Sequence, residues 1–212
     1  MESIEALKWR YATKRFDPTR SLSHVEVDKL KQAFNLTATS YGLQPLKLVV
    51  IHNKKLQEKL REYSFGQQQV SSASHVLVIC IEKEVGKQFI ENYFEHVRDI
   101  RNTPENILTP HKNSLVEDFE RKHIDDIRTW ATHQAYLVLG SLLTVCAVEG
   151  IDSCPMEGFL PEKYDEVLEL DKYNLKSVLV LPVGFRAQED FFADLKKVRR
   201  PIKEMVIEIG QN

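Results

Sequence analysis

Residues 135–148, AYLVLGSLLTVCAV, are the longest apolar stretch of the chain, and the rest is read outward from them. The stretch is shorter than the roughly 20 residues that a bilayer span needs. Gly140, Ser141 and Thr144 also dilute it, so it reads as a buried helix. The helical pattern extends back to about residue 116 and forward to Glu149, where Gly150 is placed to end it. A helix that is apolar nearly all round must be covered on every side. In a chain this small, a partner subunit is one way to cover it.

Downstream, residues 161–168 read as a helix with Pro161 in its first turn. Residues 177–183, SVLVLPV, read as a strand that Pro182 marks as an edge or as ending there. Met205, Val206 and Ile207 read as a further short strand in the tail. Upstream, residues 76–81 are apolar at nearly every position, the pattern of a strand buried on both faces. Residues 46–52 form a β-branched strand run. Helices are predicted over residues 4–9, 24–35, 54–63 and 86–101. In the second of these, Ser23 and Glu26 form a capping box, Leu22 and Val27 a hydrophobic staple, and Val27, Leu30 and Phe34 share a face. Residues 102–114 carry two prolines, Pro104 and Pro110, and read as a mobile connection. Without repeats or linkers, residues 1–212 read as one domain, and strands mixed with long helices favour an α+β or α/β layered fold.

The composition excludes several function classes. A net charge of −2 and a pI near 6.4 give no broad attraction to nucleic acid or membrane, so an anion site must come from a few placed cations. The three cysteines, Cys80, Cys146 and Cys154, are odd in number and form no C-x-x-C pair, which argues against a disulfide framework or a structural zinc. The N-terminal Met-Glu-Ser-Ile-Glu lacks the apolar core of a signal peptide, so a cytoplasmic setting is expected. The seven histidines show no H-E-x-x-H spacing. Walker A, G-x-S-x-G and G-x-G-x-x-G patterns are absent from the sequence.

Three segments could carry chemistry. Arg10 and Lys14 lie near one end of the chain, Lys197 and Arg199 near the other. Read alone, they are solvated surface; joined by the fold, they would make a phosphate site. Residues 38–45, ATSYGLQP, follow a helix and precede a strand, with Thr39, Ser40 and Gln44 as polar groups and Gly42 permitting close backbone approach. Residues 155–159, PMEGF, either form a plain turn or expose the backbone N–H of Gly158 to a ligand.

The order of these segments resembles the nitroreductase family. LKWRYATKRFD at residues 7–17 resembles its R-x-[ST]-x-[KR]-x-[FY] opening, and SYGLQP at 40–45 its S-x-x-[NG]-x-Q-P loop. Ala73-Ser74-His75 before a strand, Glu157-Gly158-Phe159 after the long helix, LPVGF at 181–185 and KVRRP at 197–201 fit the later elements. The resemblance is nearest to oxygen-insensitive nitroreductases and dihydropteridine reductases. It implies an α+β fold with a central mixed sheet flanked by helices, and an intertwined homodimer with FMN at the subunit interface. It implies that Arg10, Lys14, Lys197 and Arg199 meet the FMN phosphate, with Tyr11 and Ala12 contributing mainly through backbone. It further implies that Thr39, Ser40 and Gly42 reach the flavin from the other subunit, and that Glu157 and Gly158 lie against its ring. Gln67 and Gln69 fall where the ribityl chain or the nicotinamide cofactor is contacted. NADH or NADPH would supply electrons to a small oxidant by ping-pong two-electron transfer, with Lys14 and the Gly158 N–H in support. Departures are Ala12, where serine is common, Gly42, where asparagine is frequent, and the poorly matching stretch 102–119. A dehalogenase of the same fold, or a flavin-binding module without turnover, would carry the same residues.

Overall fold

A computed structural model describes residues 1–210. The chain runs through α1 (Ser3–Trp9), α2 (His24–Leu36), β1 (Leu46–Ile51), α3 (Lys54–Glu62), α4 (Gln69–Ser72), β2 (His75–Glu82), α5 (Lys87–Arg101), α6 (Glu105–Arg121), α7 (Ile124–Val148), β3 (Asp152–Ser153), α8 (Pro161–Val167), β4 (Leu175–Gly184) and α9 (Ile202–Met205). Both halves of the predicted capping box on α2 form: the Ser23 hydroxyl oxygen accepts the Glu26 N–H at 3.3 Å, and the Glu26 carboxylate accepts the Ser23 N–H at 2.7 Å. Pro161 starts α8, and Gly150, at φ +71°, follows α7.

The strands pair in the order β1-β2-β4-β3. Every pair is antiparallel, so the sheet is not mixed as expected; the one parallel contact among the described residues is the isolated bridge Ala12–Ser153. β2 is central, which explains its uninterrupted apolar run. Leu77, Ile79 and Ile81 face a core shared with α2 and α7, while Val76, Val78 and Cys80 face a second core with α3 and α8. Burial pushes the Cys80 and Cys146 thiols up to about 12, consistent with small apolar side chains rather than reactive ones.

β4 is neither an edge nor ended by Pro182, contrary to expectation. It runs on to Gly184 and is flanked by β2 and β3. The Pro182 carbonyl accepts the Cys154 N–H at 3.1 Å, so the missing donor falls on the side of the two-residue β3, where little ladder is lost. Residues 105–121 are helical rather than a loose connection. Pro110 sits inside α6, which nevertheless forms because Leu108, Leu115 and Phe119 pack with Phe94 and Ile90 of α5. Helices α6 and α7 are separate, broken at Lys122 and His123, both extended in backbone. No strand forms at Met205–Ile207: Met205 ends α9, and Val206 and Ile207 are exposed with no strand beside them among the described residues.

The 25 residues of α7 make it long and apolar enough, by length and composition alone, to cross a membrane, because the apolar pattern begins well before residue 135. It packs instead against α1, α2 and the sheet through Ala131, Ala135, Val138 and Leu142. Burial on all sides is not met within one chain, since Tyr136 is 43% and Leu137 54% exposed.

Candidate functional site

Helix α1 stops at Arg10, whose extended backbone (φ −68°, ψ 147°) sends the chain toward β3, where Ala12 bridges Ser153. The C-terminal segment returns beside it after a short 3-10 turn at Phe191–Asp194. Between them lies a cavity of about 520 Å³. Arg10, Lys14, Lys197 and Arg199 all line it, with Trp9 and Phe192 among the apolar walls. The fold therefore joins the two cationic clusters that spacing alone left apart.

Burial first, and like charge second, bear on Arg10 and Lys197. Burial, then the Arg199 guanidinium, lowers the proton affinity of Arg10; burial, then Arg10 and Arg199, lowers that of Lys197. The Lys197 ammonium donates to the Arg10 carbonyl oxygen, and Arg199 Nη1 donates to the Val198 carbonyl at 2.7 Å. None of the four forms a salt bridge with a carboxylate among the described residues. Arg10 Nε is buried and has no hydrogen-bond partner among the described residues. A phosphoryl group would relieve the repulsion and accept from such donors.

A second set of predicted residues joins the first through Cys154. Lys14 Nζ lies 3.8 Å and Gln69 Nε2 3.9 Å from Cys154 Sγ. Gln69 Nε2 also donates to Gln67 Oε1 at 2.9 Å, and Gln67 Nε2 to the Gly158 carbonyl at 2.8 Å. The chain Lys14–Cys154–Gln69–Gln67–Gly158 is thus continuous. Burial pushes the Cys154 thiol up, while Lys14 pulls against it. The Gly158 N–H makes no hydrogen bond among the described residues, and the residue is exposed. A Cβ on Gly158 would lie 3.1 Å from Gln67 Nε2, so glycine suits that contact. Tyr136 of α7 donates its hydroxyl to Glu157 Oε1 at 2.7 Å, which raises the Tyr136 proton affinity and fixes the loop.

The loop of residues 39–42 is not brought to this cavity within the chain. Ser40 N donates to Gln134 Oε1 at 2.8 Å, and Thr39 Oγ1 accepts the Gln44 N–H at 3.1 Å. Gly42 has φ +72°, and a Cβ there would stand 2.6 Å from the Tyr93 hydroxyl. Tyr41 packs its ring against Phe119 and Trp130. The loop is seated on α5, α6 and α7, away from the residues that line the cationic cavity.

Sequence reasoning missed two acidic residues that shape the site. Asp152 is 5% exposed and pairs with Arg186, whose guanidinium lies 4.2 Å from the Trp9 ring centroid and 4.6 Å from that of Tyr11. Asp190 is 2% exposed and accepts the Tyr11 hydroxyl and the Lys14 and Arg15 N–H groups. The side chain of Tyr11 is therefore engaged as well as its backbone. Neither aspartate stands in a local pattern that betrays its distant partners.

Comparison with known proteins agrees with this architecture. The nitroreductase family model matches residues 7–185. A Staphylococcus epidermidis protein, provisionally named an NAD(P)H nitroreductase, is 37% identical over 196 residues, covering 88% of each chain. The oxygen-insensitive NAD(P)H nitroreductase of Salmonella typhimurium is 28% identical over 99% of this chain and 100% of its own. A provisionally named nitroreductase from Exiguobacterium sibiricum, solved in complex with FMN, superposes with a TM-score of 0.83 at 20% identity, over 98% of this chain and 97% of that one. The chain belongs to the nitroreductase family.

Proposed function

We propose that this chain is an FMN-dependent NAD(P)H oxidoreductase that reduces a small oxidant, a nitroaromatic or a quinone. The observation that carries the reading is the meeting of Arg10, Lys14, Lys197 and Arg199 at one cavity without carboxylate partners among the described residues. Support comes from relatives named NAD(P)H nitroreductases and from the FMN complex of a protein of the same fold.

In this reading the two arginines would hold the phosphoryl group with their planar donors, and the two lysines would add point charge. Bound FMN would supply the redox chemistry, two-electron transfer from NADH or NADPH to the oxidant in ping-pong order. Tyr11 and Ala12 flank the tail. Gln67, fixed to the Gly158 carbonyl, and Gln69, fixed to Gln67, border the cofactor between the phosphate end and the ring. The Gly158 N–H is a fixed donor for charge that develops on the ring, and Tyr136 holds Glu157 beside it.

Thr39, Ser40 and Gly42 then come from a second copy of the chain in a homodimer. The exposed Tyr136 and Leu137 on α7 support a partner there. The experiment is spectroscopic. Purified protein should be yellow, bleach with NADH or NADPH, and regain its colour with a nitroaromatic or quinone. Protein that stays colourless and takes up no added FMN contradicts the reading; a yellow protein that never bleaches favours a flavin-binding module.

A further inference from the structure

We propose that Asp190 is a positioning residue for the cationic cradle, so that a buried carboxylate strengthens phosphate binding instead of opposing it; this rests on the reading of the cavity as an FMN phosphate site. Asp190 sits at the start of the returning C-terminal segment, and its side chain is almost wholly enclosed. Its Oδ2 accepts the Tyr11 hydroxyl at 3.1 Å, the Lys14 N–H at 2.7 Å and the Arg15 N–H at 3.0 Å. Its Oδ1 accepts the Phe192 N–H at 3.2 Å. One carboxylate thus grips the N-terminal strip that carries Arg10 and Lys14. It also grips the turn that leads to Lys197 and Arg199.

Two effects of opposite sign compete at Asp190. A negative charge near an anion site repels the anion, so its loss should tighten phosphate binding. The same carboxylate fixes the backbone at Lys14 and Arg15, and donors that must converge on one phosphoryl group lose strength when they drift. All its contacts are donors pointing inward, and it forms no salt bridge with the four cations among the described residues. Its charge is met by backbone N–H groups and a phenol. An asparagine cannot replace it, because the amide nitrogen is a donor and would face at least one of these N–H groups. Positioning therefore outweighs repulsion.

The test titrates FMN and riboflavin into flavin-free, full-length wild type, Asp190→Asn and Tyr11→Phe, read by flavin fluorescence. Riboflavin lacks the phosphate, so the ratio of the two affinities isolates the cradle from general loosening. For Asp190→Asn, FMN affinity should fall about tenfold or more and riboflavin affinity change by less than about twofold. Tyr11→Phe, which removes one donor and keeps the ring, should show a smaller loss with the same FMN selectivity. It decides the matter if Asp190→Asn does not fold. FMN affinity that is unchanged or raised overturns the proposal, as does an equal loss for both ligands. A wild type that binds FMN no tighter than riboflavin overturns the cradle reading and this proposal together. A wild-type preference retained in full by Asp190→Asn overturns the proposal alone.

Discussion

The Lys197 side chain donates to the main-chain carbonyl of Arg10, across 187 positions of sequence, and so ties the two ends of the chain together at the cationic cavity. Helix α1 and the returning segment are each exposed over much of their length, and contacts such as this one and those of Asp190 hold them in register.

The Asp152–Arg186 pair supports the wall of that cavity. Arg186 Nε lies 2.7 Å and Nη2 2.6 Å from Asp152 Oδ1, and the guanidinium stacks by Trp9 and Tyr11. Removing one partner of a buried pair leaves the other charge uncompensated. Asp152→Ala should lower unfolding stability by roughly 3 kcal/mol in a denaturant titration. A loss under about 0.5 kcal/mol, the range of ordinary surface changes, would contradict this.

Gly184 ends β4 against other backbone. A Cβ there would lie 3.0 Å from the Ser74 nitrogen and 3.1 Å from Phe16 Cδ1. Gly184→Ala should therefore destabilise by about 1–3 kcal/mol through overpacking. Equal or higher stability in the same titration would show that this corner has room to yield.

Ser23→Ala removes the reciprocal cap of α2 and should cost about 1 kcal/mol. Because the cap lies away from the cationic cavity, FMN affinity should not change. A cost near zero would mean that water replaces the cap fully.

The pH dependence of stability should bear the mark of His75. Burial, then His52, Lys54, His24 and Lys31, holds its proton affinity below the free value. The unfolded chain then binds the proton more readily, so stability is full above about pH 6.5 and is lost as pH falls from there through the folded-state value. His75→Gln should flatten the stability curve between pH 7 and about pH 5. An unchanged slope would place the titration elsewhere.

What was legible in the sequence was local or periodic. Ser23 and Glu26 announce their cap because three residues of spacing suffice. The unbroken apolar run at residues 76–81 announces a strand covered on both faces. Pro110 misled because its breaking tendency is a local prior, whereas α6 owes its form to packing of Leu115 and Phe119 with α5. Met205–Ile207 misled because β-branched residues such as Val206 and Ile207 make a strand only beside another one. The cationic site was legible only by resemblance. Spacing cannot bring Arg10 to Arg199, and Asp190, which helps to do so, looks like any surface aspartate until its buried donors are seen.

The most direct measurement is the dissociation constant of FMN for wild type and for Arg10→Ala/Arg199→Ala, by fluorescence titration of flavin-free protein. Two charge-assisted contacts at about 1.5–3 kcal/mol each predict a loss of roughly 100-fold or more. Affinity within about threefold of wild type would contradict a phosphate cradle built from both ends of the chain.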